Sequence, residues 1–278
     1  MIKFFRHIRQ NLLLEGKNGK PAWPAGRYLK YAIGEIVLVV IGILIALSIN
    51  NWNTERINNN RVKQYAKSLV QDLENDIKMI NVSQFQAKKS FKRIDSLKSY
   101  ILTTELANLS NTNLYVLTHD IMYRPYEWNR STFNEMKNSE ILHNFKNDSL
   151  KKKLMAYESY SYHLDEDFDQ DMTNAHKAEE IISEIMDLNN PYFSQMTVLE
   201  NERFNDPNLD LFKTVEYQSA KKQDRILQLN NEKDMRQFIN VFIRIHDSYR
   251  LRACLEMDEI KVNATESIQL LKNEYSHY

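Results

Sequence analysis

The chain has 278 residues, 42% of them hydrophobic, with only five glycines and five prolines. That is enough apolar material for a sizeable core and too few turn formers for a doubly wound α/β fold or a β-sandwich. Thirty-seven basic side chains balance thirty-seven acidic ones with no persistent Lys/Arg field, which excludes a nucleic-acid partner, and a single cysteine, Cys254, excludes an intramolecular disulfide and Cys-based zinc clusters.

The charge is unevenly placed. Residues 1–30 carry a net +6. Within "MIKFFRHIRQNLLLE", Ile2, Phe4, Phe5, Ile8, Leu12 and Leu13 share one broad side of a helix, opposite Lys3, Arg6, His7, Arg9 and Gln10. Such a helix lies on an anionic leaflet with its apolar side in the headgroup boundary. "EGKNGKPAWPAG" then breaks it.

Tyr31 to Ile49 is a 19-residue apolar run, long enough to span a bilayer. A surface helix would show a polar face at 3.6 spacing, and this run shows none. A fully buried core helix is one alternative. Cleavage after Ala46-Leu47-Ser48 is another, but the basic leader is very long and the run exceeds a typical signal peptide's 7–15 apolar residues. An uncleaved anchor is therefore expected, with the basic flank cytoplasmic and the C-terminal bulk outside the inner membrane. Trp23, Tyr28, Tyr31 and Trp52 suit the two headgroup belts. Within the run, Gly34, Leu38 and Gly42 lie near one face, Gly42 and Ala46 form a small-x-x-x-small pair, and Glu35 sits near the interface. These five residues are the candidates for contact with lipid, with a second copy, or with a companion membrane protein.

"YAIGEIVLVVIGILIALSINNWN", after a short basic amphipathic start, resembles a large family of uncharacterised single-span proteins from Bacteroidota. "STFNEMKNSEILHNFKNDSLKKKLMAYE" resembles that family's helical outer segment, with Glu140 where the commoner pattern has glycine, so the family's turn geometry does not transfer automatically. The resemblance implies an inner-membrane protein with a helical outer portion and supplies no activity.

Beyond Trp52, Ala66, Leu73, Ile80, Ala87, Ile94 and Ile101 recur every seven residues, reinforced by Leu69, Ile77, Phe91 and Leu97. This spacing predicts a long helix near 53–102, either continuous with the anchor or bent around Asn58–Asn60. "LANLSNTNLYVLTHDIMYRPYEWNRS" interrupts the pattern. Ser131 or Thr132 with Glu135 has capping-box spacing ahead of a short helix, followed by a second near Ser139. Further stripes predict helices near 149–189 (Leu150, Leu154, Tyr157, Leu164, Phe168) and 231–275 (Met235, Phe238, Phe242, Ile245, Tyr249 and onward), with residues 208–229 as a possible fourth. The expected fold class is all-α: an interfacial helix over residues 1–27, a transmembrane anchor over 28–52, and an elongated extracytoplasmic antiparallel bundle over 53–278.

Sites are fewer. In "YHLDEDFDQDMTNAH" the acids alternate without the glycine of a calcium loop, so they read as a solvated helix face. His163 and Asp167 stand at i,i+4, but no third metal ligand is evident. Cys254, beside Ala253 and Leu255, reads as packing. Tyr123, Arg124, Tyr126 and Trp128 are candidates for binding an acidic protein partner, or form a loop packed over the bundle. No catalytic, cofactor or metal set is assigned. The expected function is a non-catalytic scaffold or accessory protein. Sensory reception through a partner is the second reading, because only about 30 residues precede the anchor. An enzyme is the third, and its mark would be a deep pocket gathering a histidine and two carboxylates.

Overall fold

A computed structural model describes residues 24–119, 121–202, 209–228 and 231–275. The interfacial helix expected near the N-terminus lies outside them. The chain divides into two compact units, Met1–Asn60 and Arg61–Tyr278. Among the described residues the secondary structure is helical throughout, without a strand.

Helix α1, Pro24–Thr103, opens on a proline, whose missing N–H costs nothing in a first turn. It passes through Asn58–Asn60 without a break. In the first unit, every side chain from Tyr31 to Ile57 is exposed. The apolar stretch has a mean hydropathy of 2.8, and none of it is buried. The alternative of a core helix is thereby set aside. Nineteen helical residues span about 28 Å, close to the ~30 Å hydrocarbon thickness of a bilayer.

In the second unit, the seven-residue stripe of α1 is buried from Ala66 to Ile94. Its neighbouring row, also at sevens, reads Leu69, Asp76, Ser83, Ser90 and Leu97, and all five are buried. The polar middle of that row has a purpose. After a 3-10 turn at Leu106–Asn108 and helix α2, Asn111–Thr118, residues 121–130 run beside α1 without regular secondary structure. Such a segment has no ladder for its backbone groups, so side chains must satisfy them. Ser83 donates to the Arg124 carbonyl (3.2 Å), Gln86 Oε1 accepts from the Arg124 N–H (2.7 Å), and Asp76 Oδ1 accepts from the Asn129 N–H (2.8 Å). The registers agree. Arg124 to Asn129 covers about 16 Å when extended, and Gln86 back to Asp76 covers about 15 Å of helix.

This strap is the returning leg of the bundle. It leads to α3, Ser131–Asn138, a 3-10 turn at Ile141–Asn144, and α4, Asp148–Ile185, which ascends parallel to α1. Helices α5 (Phe193–Glu202) and α6 (Val215–Lys222) follow, with a 3-10 turn at Leu211–Lys213 between them. The chain then descends as α7, Glu232–Leu251, a π-helical turn at Arg252–Glu256, and α8, Met257–Tyr275. The pairings His246–Asp95, Gln84–Asp258 and Lys272–Glu74 run the descending leg antiparallel to α1. Ser248–Asp171, Tyr160–Glu259 and Lys153–Glu266 do the same against α4.

Several local expectations are corrected. Helix α3 is capped by Arg130 without a side-chain bond, and Glu135 accepts from Tyr65 Oη (2.7 Å) instead of closing a capping box. Asn147 and Asn231 cap α4 and α7, each accepting from the N–H three residues on. Near Ser139 a 3-10 turn replaces a helix. The turn before it keeps a glycine-like conformation, with Glu140 at φ 56° and ψ 10°. Cys254 is exposed rather than packed. The π turn adds a residue to the helix, so Ala253 and Met257 both face the core while Cys254 and Leu255 turn out.

Candidate functional site

The π turn places Arg252 between the descending leg and α4. Its side chain is only 8% exposed. Nη2 lies 2.9 Å from Asp167 Oδ1, and Nη1 lies 2.7 Å from Glu256 Oε2. Nε stands 3.5 Å from Asp171 Oδ2 without a hydrogen bond. Asp171 also accepts from Tyr123 Oη (2.8 Å) and from Ser248 Oγ. Burying one guanidinium with three carboxylates is costly unless each lone pair finds a donor, which explains the density of partners.

Burial pushes the Asp171 carboxyl above its usual range, against the opposing hydrogen bonds from Ser248 and Tyr123 and the nearby charge of Arg252. For Arg252, burial works to lower the pKa, but Glu256, Asp171 and Asp167 outweigh it and the net shift is upward. Burial, with Tyr126 and Asp171 nearby, holds the Tyr123 hydroxyl far above its ordinary value. Tyr123 also packs edge-on to Phe168 and Tyr249.

The acids of α4 are therefore not a uniformly solvated face. Asp167 and Asp171 turn inward, and Asp165 accepts from Trp128 Nε1 and pairs with Arg130, both at 2.7 Å. The i,i+4 pair of His163 and Asp167 gains a third group across the bundle. One ligand atom from each of His163, Asp167 and Glu256 lies within 4.8 Å of the others. Sequence reasoning missed Arg252 and Glu256. Their own i,i+4 spacing was a signal, as was the run of four-residue gaps through Ile245, Tyr249, Ala253 and Met257, which marks the π turn.

Of the aromatic candidates, Tyr123 and Tyr126 are buried, Trp128 is half-buried and stacked on Tyr126, and Arg124 is exposed. The four belong to the strap over the bundle. The anchor candidates Gly34, Glu35, Leu38, Gly42 and Ala46 all lie on the exposed length of α1. A Cβ placed on Gly34 or Gly42 meets nothing within 4 Å.

Two cavities lie away from the charged cluster. One of about 30 Å³ is lined by Asp72, Asp76 and Arg130 among others. A groove of about 400 Å³ is lined by Lys89, Lys92 and Arg93 on α1 and by Leu211 and Phe212 opposite. The histidine and two carboxylates named as the mark of an enzyme do come together, but neither cavity includes them.

Residues 35–108 match the sequence profile of a family of unknown function (DUF6090). The matched stretch covers about a quarter of the chain, from the anchor through the first turn after α1. The likeness is thus to an uncharacterised family, and it does not reach the charged cluster. No curated protein and no solved structure matches the chain.

Proposed function

We propose that the chain is a non-catalytic scaffold or accessory protein, anchored in the bacterial inner membrane by residues 28–52, with residues 1–27 cytoplasmic and a helical interaction domain in the periplasm. The observation that carries this reading is α1 itself. One unbroken helix bears a fully exposed 19-residue apolar run and then the buried heptads of a packed domain. Exposed apolar area of that extent is characteristic of a lipid or protein interface rather than of a surface in water. The basic flank supports an inward N-terminus. The partners would be lipid, a second copy or companion at the Gly42 and Ala46 face, and a protein at the outer domain.

A periplasmic sensor signalling through a partner is the second reading, favoured by the basic groove at Lys92. Crosslinking of the full-length chain in native membranes, read by mass spectrometry, separates the two. Reproducible adducts from the outer domain to a second polypeptide or copy are expected. Intrachain crosslinks alone, together with a small anionic solute that raises the melting temperature, would displace the scaffold reading in favour of the sensor.

A further inference from the structure

We propose that His163, Asp167 and Glu256 bind one divalent transition-metal ion of zinc type. The proposal goes beyond the scaffold reading and does not depend on it.

Three groups from two legs of the bundle converge. His163 and Asp167 stand one turn apart on α4, and Glu256 closes the π turn of the descending leg. Their ligand atoms lie within 4.8 Å of one another. His163 Nε2 is 3.2 Å from Asp167 Oδ2. Two ligands of a tetrahedral zinc with bonds near 2.1 Å stand about 3.4 Å apart, so this edge is already at coordination spacing.

A second observation points to an occupant. Asp167 is 9% exposed, and its Oδ2 is shut off from solvent with the His163 Nε2 at 3.2 Å as its polar neighbour, a contact that does not form a hydrogen bond. A buried carboxylate oxygen left in this way costs free energy that a cation would recover. The other oxygen, Oδ1, is held by Arg252, as is Oε2 of Glu256. Arg252 is thus a positioning residue. It fixes one oxygen of each carboxylate and leaves the remaining one of Asp167 directed at the histidine.

Charge agrees with this assignment. Asp167, Asp171 and Glu256 face a single guanidinium, and a divalent ion would balance the cluster. The imidazole donor selects zinc-like metals over calcium or magnesium, which prefer all-oxygen sets. The His163 side chain is half exposed, which gives the ion a path in and leaves a position for water.

The test uses full-length protein in detergent, purified without a polyhistidine tag, stripped with chelator and titrated with Zn²⁺. One tight zinc per chain and a raised melting temperature are expected. With Co²⁺ in its place, the visible absorption of a tetrahedral nitrogen and oxygen site is expected. His163→Gln should weaken zinc binding at least tenfold while melting like wild type in chelator; Glu256→Gln should weaken it as much but melt lower in chelator, because it also breaks the pair with Arg252, and should it fail to fold, the exposed His163→Gln carries the comparison. Failure of the wild type to retain zinc, equal retention by His163→Gln, or preference for Ca²⁺ or Mg²⁺ would each overturn the site and reduce the His163–Asp167 contact to an ion pair. Partner crosslinking is a separate readout, so loss of the metal site and loss of the scaffold reading can be told apart.

Discussion

Replacing Arg252 with methionine keeps much of its apolar stem and removes its charge. Asp167 then loses an ion pair of 2.9 Å, Glu256 a hydrogen bond of 2.7 Å, and Asp171, whose side chain is 1% exposed, its nearest cation. Each charge-assisted bond is worth about 1.5–3 kcal/mol. Stranding buried charges by removing one partner costs about 3–5 kcal/mol in total, and we expect a loss in that range at pH 7.5. The sign with pH follows from Asp171, whose carboxyl is already held above its usual range by burial. Losing the guanidinium raises it further, so the deficit is full above its folded value and shrinks as pH falls through it. Urea unfolding of both proteins in the same detergent, at pH 7.5 and 5, measures this. Trp128, bonded to Asp165 beside the cluster, is a suitable fluorescence reporter. A deficit below about 1 kcal/mol, or one equal at both pH values, would refute the claim that these charges depend on Arg252.

Two further perturbations test other parts of the fold. Glu140→Gly should stabilise the chain by about 0.5–1 kcal/mol, because a left-handed residue with a Cβ is strained where glycine is not; a loss in thermal melting would contradict the assigned turn. Asp224 is shifted the opposite way to Asp171, yet the deficit left by its removal also shrinks on acidification. Burial pushes its pKa up, but bonds from Ser110, Lys221 and Thr112 outweigh this and leave it lowered. Its contribution is present above the unfolded value near 3.9 and is lost as pH falls through the folded one. Asp224→Asn should therefore cost about 1–3 kcal/mol at pH 6, a gap narrowing only below about pH 4; a gap that widens on acidification would contradict it.

The helices were legible because their burial is periodic. Ala66 to Ile94 at sevens, and Phe238, Phe242, Ile245 and Tyr249 at threes and fours, state which side is inward before any partner is known. The strap was not legible as a structural leg, because an irregular segment beside a helix is held by that helix's side chains and not by a pattern of its own. The signal was nonetheless present in Asp76, Ser83 and Ser90, polar residues occupying heptad positions between Leu69 and Leu97. The charged cluster was half legible. His163 and Asp167 share a helix, whereas Glu256 and Arg252 arrive from a leg distant in sequence, and only the fold sets them together. Cys254 was misjudged because its apolar neighbours Ala253 and Leu255 were taken as a sign of packing, whereas adjacent helix positions face different ways and Leu255 turns out with it.

The same cysteine offers the most direct test of membrane placement. It is the chain's only thiol, and it is exposed on the unit Arg61–Tyr278. In cells with a permeabilised outer barrier and an intact inner membrane, a membrane-impermeant maleimide should label Cys254 of the full-length protein, which should also stay with the membranes under alkaline carbonate washing. Labelling only after the inner membrane is broken, or recovery of the chain in the soluble fraction, would contradict the anchored, outward-facing arrangement.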